Sequence, residues 1–117
     1  MKDKNEAKED LRKLLPEVLQ FIHEARKVEN NNVLVHCLQG ISRSVTFVVA
    51  YLMVVTDKPW DKTLDRVRQK RTIANPNPEF QRLLFEFDKS DQKIDIQQML
   101  KIDQEMMDRE TQLLFSS

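Results

Sequence analysis

His36-Cys37-Leu38-Gln39-Gly40-Ile41-Ser42-Arg43-Ser44 is the stretch that decides the fold of this chain. It follows the short apolar run Val33-Leu34-Val35, which we predict to be a buried strand, and it precedes an apolar segment that we predict to be a buried helix. The stretch is therefore a strand-to-helix loop. In such a loop several backbone N–H groups can point inward and bind an anion, and the helix N-terminus adds partial positive charge. The sequence thus predicts an α/β fold with an anion site at the start of a helix.

The residue types in this loop suit a phosphate monoester. A thiol in a positive field loses its proton more easily, which makes Cys37 a nucleophile near neutral pH. Arg43, six positions later, offers a planar fork for two phosphate oxygens. Gly40 lets the backbone turn tightly enough for the amides to converge. A lone cysteine after an apolar strand is more often a small buried hydrophobe, but Gly40, Arg43 and Ser44 at these offsets favour the nucleophile.

His36, next to Cys37, and Ser44, next to Arg43, are expected to have supporting roles. His36 precedes Cys37 on an extended strand and so points to the opposite face. We therefore expect it to fix the loop by hydrogen bonding and to favour the thiolate, with a plain core histidine as the alternative. Ser44 can cap the helix that follows.

The pattern His-Cys, five residues, Arg-Ser resembles the signature of cysteine-dependent protein phosphatases, and the chain resembles their atypical dual-specificity branch. It is most similar to the small members associated with the JNK pathway. The resemblance runs from about residue 5 to residue 90. Val33 to Met53 resembles the strand, loop and central helix of the family, and Trp60 and Ile73-Ala74-Asn75-Pro76-Asn77-Pro78 resemble its later helices.

The resemblance implies a protein phosphatase that works through a phosphocysteine at Cys37, with neither a metal nor another cofactor. It also implies that the phosphate loop binds the phosphoryl group through Leu38, Gln39, Gly40, Ile41, Ser42 and Arg43. In the family the hydroxyl that matches Ser44 helps the sulfur leave, and the asparagine that matches Asn77 braces the loop. Ordinary turn chemistry is the alternative for Asn77.

The general acid of the family is not matched. An ester with a poor leaving group needs a proton on its bridging oxygen, and loss of the acid lowers the rate by roughly 10²- to 10⁴-fold. Alignment on Phe21-Ile22 and Asp10-Leu11 puts Asn5 where relatives have an aspartate. Asp3 is the candidate acid on a loop two residues longer than usual, and Glu6 is a weaker candidate. A solvated, frayed carboxylate is the alternative for both.

Residues 1–90 are predicted to form a partial dual-specificity phosphatase catalytic domain, and residues 91–117 a C-terminal helical extension. The one clear strand, Val33 to His36, needs ladder partners. Relatives place further strands before the acid loop, so the resemblance implies an N-terminally truncated domain with about five helices and missing sheet strands.

The helices follow from apolar periodicity and turn residues. Pro16 is predicted in the first turn of a helix whose apolar face meets the sheet and which ends at Asn30-Asn31-Asn32. Lys58-Pro59 separates the central helix from a third helix, and Asn75-Pro76-Asn77-Pro78 is a turn before a fourth. Beyond Asp91 we expect one C-terminal helix that packs on the domain, with a partner-binding helix as the alternative.

Composition limits the partners and the compartment. The formal net charge of zero over 117 residues argues against nonspecific nucleic-acid binding. The single cysteine cannot form an internal disulfide, and the chain shows no secretory signal or transmembrane stretch. We therefore expect a cytoplasmic or nuclear protein that binds neither nucleic acid nor membrane; the sequence leaves its oligomeric state open.

The substrate class follows from the loop. Related phosphatases that act on inositol phosphates place lysines in it, whereas Leu38, Gln39 and Ile41 are uncharged. This favours a phosphoprotein substrate carrying phosphotyrosine, phosphoserine or phosphothreonine, and a component of a MAP-kinase pathway is a candidate. Two alternatives stay open, a phosphoprotein-binding regulatory pseudophosphatase and an inactive truncated product.

Overall fold

The computed structural model describes residues 4–29, 42–70 and 77–115. Within these ranges all regular structure is helical, and we number the helices in chain order: α1 Lys4–Glu29, α2 Ser42–Thr56, α3 Trp60–Lys70, α4 Pro78–Asp88, α5 Asp91–Met99 and α6 Gln104–Phe115. The strand predicted at Val33 to His36 lies outside the described residues. No helix in the described ranges combines the length and the apolar character needed to cross a membrane.

The central helix α2 is the core of the molecule, as predicted. It contacts each of the other five described helices. Its valines are poor helix formers, so burial rather than propensity stabilises it. Each fully buried apolar side chain contributes roughly 1.5–3 kcal/mol. Nearly all of its described side chains are buried: Val45, Thr46, Val48, Val49, Ala50, Tyr51, Leu52, Met53, Val54, Val55 and Thr56.

Helix α2 ends in a left-handed residue. Asp57 has φ 58°, and its backbone N–H donates to the Met53 carbonyl at 2.8 Å. The Thr56 hydroxyl also donates to a carbonyl of the last two turns, that of Leu52. The bond from Asp57 thus supplies a donor to a carbonyl that the helix end would otherwise leave unpaired.

Helix α1 begins well before the position that Pro16 predicted. It starts at Lys4, so Pro16 lies inside the helix rather than in its first turn. A proline in this position removes the N–H that would bond to the carbonyl four residues earlier, that of Arg12. The Gln92 side chain of α5 supplies the missing donor, with its Nε2 at 2.9 Å from the Arg12 oxygen. A long-range hydrogen bond thus compensates for the proline.

The apolar face of α1 packs on helices in the described ranges. Leu11, Leu15, Leu19 and Ile22 are buried, and α1 contacts α2 and α4. The sequence prediction was that this face meets a sheet. In the described part of the chain it meets α2 and α4 instead.

The C-terminal segment forms two helices rather than the single one predicted. At the end of α5 the Ile102 N–H donates to the Gln97 carbonyl at 2.9 Å, and the Lys101 N–H donates to the Gln98 carbonyl at 3.1 Å. This pair of bonds is a Schellman motif, and it requires the left-handed φ of 59° at Lys101. The Asp103 carboxylate then accepts from the Met106 N–H and caps α6.

Both C-terminal helices pack on the core. Ile96 and Leu100 belong to the buried apolar cluster, and α5 and α6 both contact α2. Lys93 is buried on α5, and its ammonium lies 3.0 Å from Asp88 Oδ1 and 3.1 Å from Asp57 Oδ1. The segment from Asp91 onward is therefore held by apolar burial and by charge-assisted contacts.

Candidate active site

Helix α2 carries the C-terminal end of the predicted phosphate loop. It begins at Ser42, so Arg43 and Ser44 lie in its first turn, and Ser44 is not, as the sequence suggested, the residue that caps it. Cys37 and the rest of the loop back to His36 lie outside the described residues. A helix start at this point supplies partial positive charge and backbone N–H groups without intrahelical acceptors. The described part of the site therefore has the polarity that an anion requires.

The burial of α2 gives this helix start a rigid support. Val45 and Thr46 are buried directly behind Ser44, and Val48 and Val49 follow one turn later. A densely packed helix has few alternative positions because its interior side chains cannot be rearranged without loss of contacts. The first turn of α2 is thus fixed by the core on which it rests.

Asn77 caps the helix that follows the second proline-rich turn. It has extended backbone angles, and its side-chain oxygen accepts from the Phe80 N–H at 3.0 Å. Pro78 occupies the first position of α4, where its missing N–H costs nothing. Asn77 therefore has a capping role. The loop residues that it is predicted to brace lie outside the described residues, so the bracing role stays a prediction.

The candidate acids lie at the start of α1. Asn5 and Glu6 are in its first turn, whereas Asp3 lies outside the described residues. The prediction of an acid loop in this region is wrong from Lys4 onward, since the backbone there is helical. Within the described ranges no group of three or more histidine, cysteine, aspartate or glutamate side chains could hold a metal ion.

A buried polar cluster that the sequence analysis did not identify lies between α1, α2 and α6. The Tyr51 hydroxyl lies 2.9 Å from His23 Nδ1 and accepts a hydrogen bond from Arg26 Nη1 at 3.1 Å. Arg26 Nη1 also lies 3.0 Å from Glu110 Oε2. Both charged side chains are only 13% exposed. The sequence signals were a tyrosine in an otherwise apolar helix and a His23–Arg26 pair on one helix face.

Burial and neighbouring charges set the protonation of this cluster. Burial raises the pKa of Tyr51, although the nearby Arg26 charge opposes the shift. Burial, reinforced by the Lys27 charge, lowers the pKa of His23 below its ordinary value of 6.5. Burial alone would lower the pKa of Arg26, but Tyr51 and Glu110 outweigh it and raise that pKa. At neutral pH the tyrosine and the histidine are therefore neutral and the arginine is charged.

Comparison with known proteins identifies the relatives of the chain. The profile of the dual specificity phosphatase catalytic domain matches residues 1–90. Dual specificity protein phosphatase 22 of Homo sapiens is 51% identical over 81 residues, which are 69% of this chain and 44% of that protein. Its counterpart in Xenopus tropicalis is 55% identical over 73 residues, 62% of this chain and 34% of that protein.

A further relative is dual specificity protein phosphatase 15 of Mus musculus, 47% identical over 77 residues, which are 66% of this chain and 32% of that protein. No solved structure matches. The chain spans less than half the length of these curated relatives.

Proposed function

Because this chain belongs to the dual-specificity phosphatase family, we propose that it is a protein phosphatase that works through a phosphocysteine at Cys37. The single observation that carries the proposal is the family match across residues 1–90, which includes the whole motif from His36 to Ser44. The start of α2 at Ser42 supports it, because the helix begins where an anion loop requires it. The family has an α/β fold, and the strand at Val33 to His36 is part of this proposal.

The proposed reaction has two displacements. The Cys37 thiolate attacks phosphorus, so that an S–P bond forms while the bond from phosphorus to the ester oxygen breaks. The leaving oxygen takes a proton. Water then attacks the phosphocysteine, the S–P bond breaks, and inorganic phosphate and thiolate are released. Arg43 and the loop amides hold the phosphoryl oxygens throughout, and the Ser44 hydroxyl assists departure of the sulfur.

Proton donation to the leaving group is the least efficient step of the proposed mechanism. Asn5 occupies the aligned acid position, and a carboxamide cannot serve as a general acid. We assign the role to Asp3, directly before the first residue of α1. Without a carboxyl group at residue 5 itself, proton delivery to the leaving oxygen is less effective than in relatives that have an aspartate there. The proposed enzyme therefore acts better on esters with good leaving groups than on phosphotyrosine or phosphoserine.

The proposed substrates are phosphoproteins, and a MAP-kinase pathway component is a candidate among them. The support is the uncharged Leu38, Gln39 and Ile41 in the loop, together with the relatives, which are named as protein phosphatases. A cytoplasmic or nuclear location is proposed with it. The second candidate function is regulatory phosphoprotein binding without turnover, and Asn5 at the acid position is the observation that favours it.

The test compares two substrates and two protein variants. Hydrolysis of an activated aryl phosphate and of a phosphotyrosine peptide is measured with the unaltered chain and with Cys37→Ser. The aryl ester needs little acid assistance, so it reports on the loop alone. We expect turnover of the aryl ester that depends on Cys37, and much slower turnover of the peptide. If neither substrate is turned over in a Cys37-dependent way, the proposal that the chain is an enzyme is refuted.

An acid restored at the aligned position provides the matched variant. Asn5→Asp should raise peptide turnover while leaving aryl ester turnover nearly unchanged, because only the peptide leaving group needs the proton. An unchanged peptide rate would exclude residue 5 as the acid position. Tight binding of the phosphopeptide to the unaltered chain without hydrolysis would establish the regulatory alternative.

A further inference from the structure

A cleft of about 480 Å³ opens between α1, α2 and α6, and the described residues that line it all belong to these three helices. Its polar lining includes Tyr51 and the ion pair between Arg26 and Glu110. The volume lies within the range of small-molecule sites, roughly 300–1,000 Å³. The cleft is therefore large enough for a ligand of its own.

The charge of the lining favours an anion. Among the described residues of the lining, Arg26, Lys27 and Arg109 are cations, and Glu110 is a carboxylate. The whole chain has a formal net charge of zero, so the positive charge is a local property of this cleft. Lys27 also pairs with Glu24 at 3.2 Å, but both side chains are more than half exposed and such pairs contribute little. An anion in the cleft would thus be attracted by its walls.

The apolar part of the lining favours a ligand with a hydrophobic body. Met106 and Leu113, both on α6, line the same cleft. Leu113 is 61% exposed, so a ligand that covers it would remove apolar surface from water. A methionine wall adapts easily to an aromatic ring or a short alkyl chain.

We propose that this cleft is a binding site for a small amphipathic anion, such as an aromatic compound with a phosphonate, phosphate or carboxylate group. The anionic group lies between Lys27 of α1 and Arg109 of α6, and the apolar body lies against Met106 and Leu113. The ligand then bridges α1 and α6 in parallel with the Arg26–Glu110 pair. Bound ligand therefore strengthens the attachment of the C-terminal helix. The proposal is independent of catalysis at Cys37.

The test uses the two histidines of the chain as separate reporters. His23 lines the cleft, whereas His36 belongs to the predicted phosphate loop. The protein is titrated with phenylphosphonate, which phosphatases do not hydrolyse, and the imidazole C–H signals are followed by NMR. A His23→Gln variant assigns the two signals. Benzyl alcohol is the uncharged control ligand, and inorganic sulfate is the anion without an apolar body.

We expect a saturable shift of the His23 signal with phenylphosphonate, and much weaker responses to benzyl alcohol and to sulfate. The double variant Lys27→Gln, Arg109→Gln should bind at least about tenfold more weakly, since two charge-assisted contacts are lost. Arg82→Gln is the matched control, because Arg82 is a 74% exposed cation on α4 outside the cleft. The Arg82→Gln variant should bind phenylphosphonate with the same affinity as the unaltered chain.

Three results would overturn the proposal. A shift confined to His36 would place the ligand at the phosphate loop only. An equal response to benzyl alcohol would show an apolar pocket without anion selectivity, and an unchanged affinity in the double variant would remove Lys27 and Arg109 from the site. None of these results bears on the proposed phosphatase activity, which is judged by Cys37-dependent turnover.

Discussion

The hydrogen bond from the Gln92 side chain to the Arg12 carbonyl predicts that substitutions at positions 92 and 16 are coupled in their effect on the free energy of unfolding. Gln92→Leu removes the side-chain donor, so the Arg12 carbonyl loses its donor in a helix where Pro16 has no N–H. A net hydrogen bond contributes roughly 0.5–1.5 kcal/mol, and this one is partly buried. We therefore expect Gln92→Leu to lower the free energy of unfolding by about 1 kcal/mol.

The background variant Pro16→Ala isolates this contact. Alanine restores the N–H that can donate to the Arg12 carbonyl, so Gln92→Leu should cost only a few tenths of a kcal/mol in that background. Urea unfolding followed by circular dichroism gives the four free energies of the cycle. Gln98→Leu is the matched control, because Gln98 is exposed on the same helix. An equal cost of Gln92→Leu in both backgrounds would refute the compensation.

Further predictions concern the helix end at Lys101, the ionisation of His23 and the buried ion pair. Lys101→Gly should stabilise the protein by roughly 1 kcal/mol because glycine adopts the left-handed φ of 59° without strain, whereas Lys89→Gly, at φ −97°, should not; urea unfolding distinguishes them. The folded state binds fewer protons at His23 than the unfolded state does, so the free energy of unfolding should fall as pH drops below 6.5, and His23→Gln should reduce that fall. Glu110→Leu should lower the free energy of unfolding by roughly 2–3 kcal/mol, because the largely buried Arg26 guanidinium loses its carboxylate partner. Adding Arg26→Met should recover part of that loss in a double-mutant cycle.

Each of these predictions has a result that would contradict it. Equal effects of glycine at positions 101 and 89 would remove backbone strain as the reason. An identical pH dependence in His23→Gln would assign the slope to other groups. Additive costs for the two ion-pair variants would show that Arg26 and Glu110 do not stabilise each other.

The elements that the sequence predicted correctly are those whose signals are local. The apolar run after Arg43 predicted the buried helix α2, and Lys58-Pro59 predicted the break before α3. The turn predicted at Asn75-Pro76-Asn77-Pro78 was expected to precede a helix, and α4 begins at its last residue, with Asn77 as a cap that was not predicted. In each case the deciding residues lie next to the boundary that they define.

The errors have two causes, contacts between distant parts of the chain and a helix end that lacks its usual residue. Pro16 predicts a helix start because proline suits a first helical turn, and the donor that compensates for it inside α1 is Gln92, 80 positions from the Arg12 carbonyl. The break at Lys101 lacks the glycine that usually marks a left-handed helix end, so periodicity alone joined α5 to α6. The polar cluster around Tyr51 assembles side chains from three helices and has no linear motif.

The candidate catalytic site has the opposite character, because its motif is contiguous. Cys37, Arg43 and Ser44 could be selected from spacing and residue chemistry, and α2 begins at Ser42, within the last three residues of the predicted loop. The acid depends instead on how a separate segment reaches the loop. For that reason Asp3 stays a prediction, whereas the helical backbone from Lys4 onward corrects the expected loop.

The most direct test of the central claim is to locate the phosphoryl group during turnover. The chain is mixed with an activated aryl phosphate, quenched with acid at short times, digested and examined by mass spectrometry, with Cys37→Ser in parallel. The account predicts a phosphorylated peptide modified at Cys37 that forms before phosphate is released, and no such adduct or turnover in the variant. Hydrolysis that persists in Cys37→Ser, or a phosphoryl group on another residue, would contradict it.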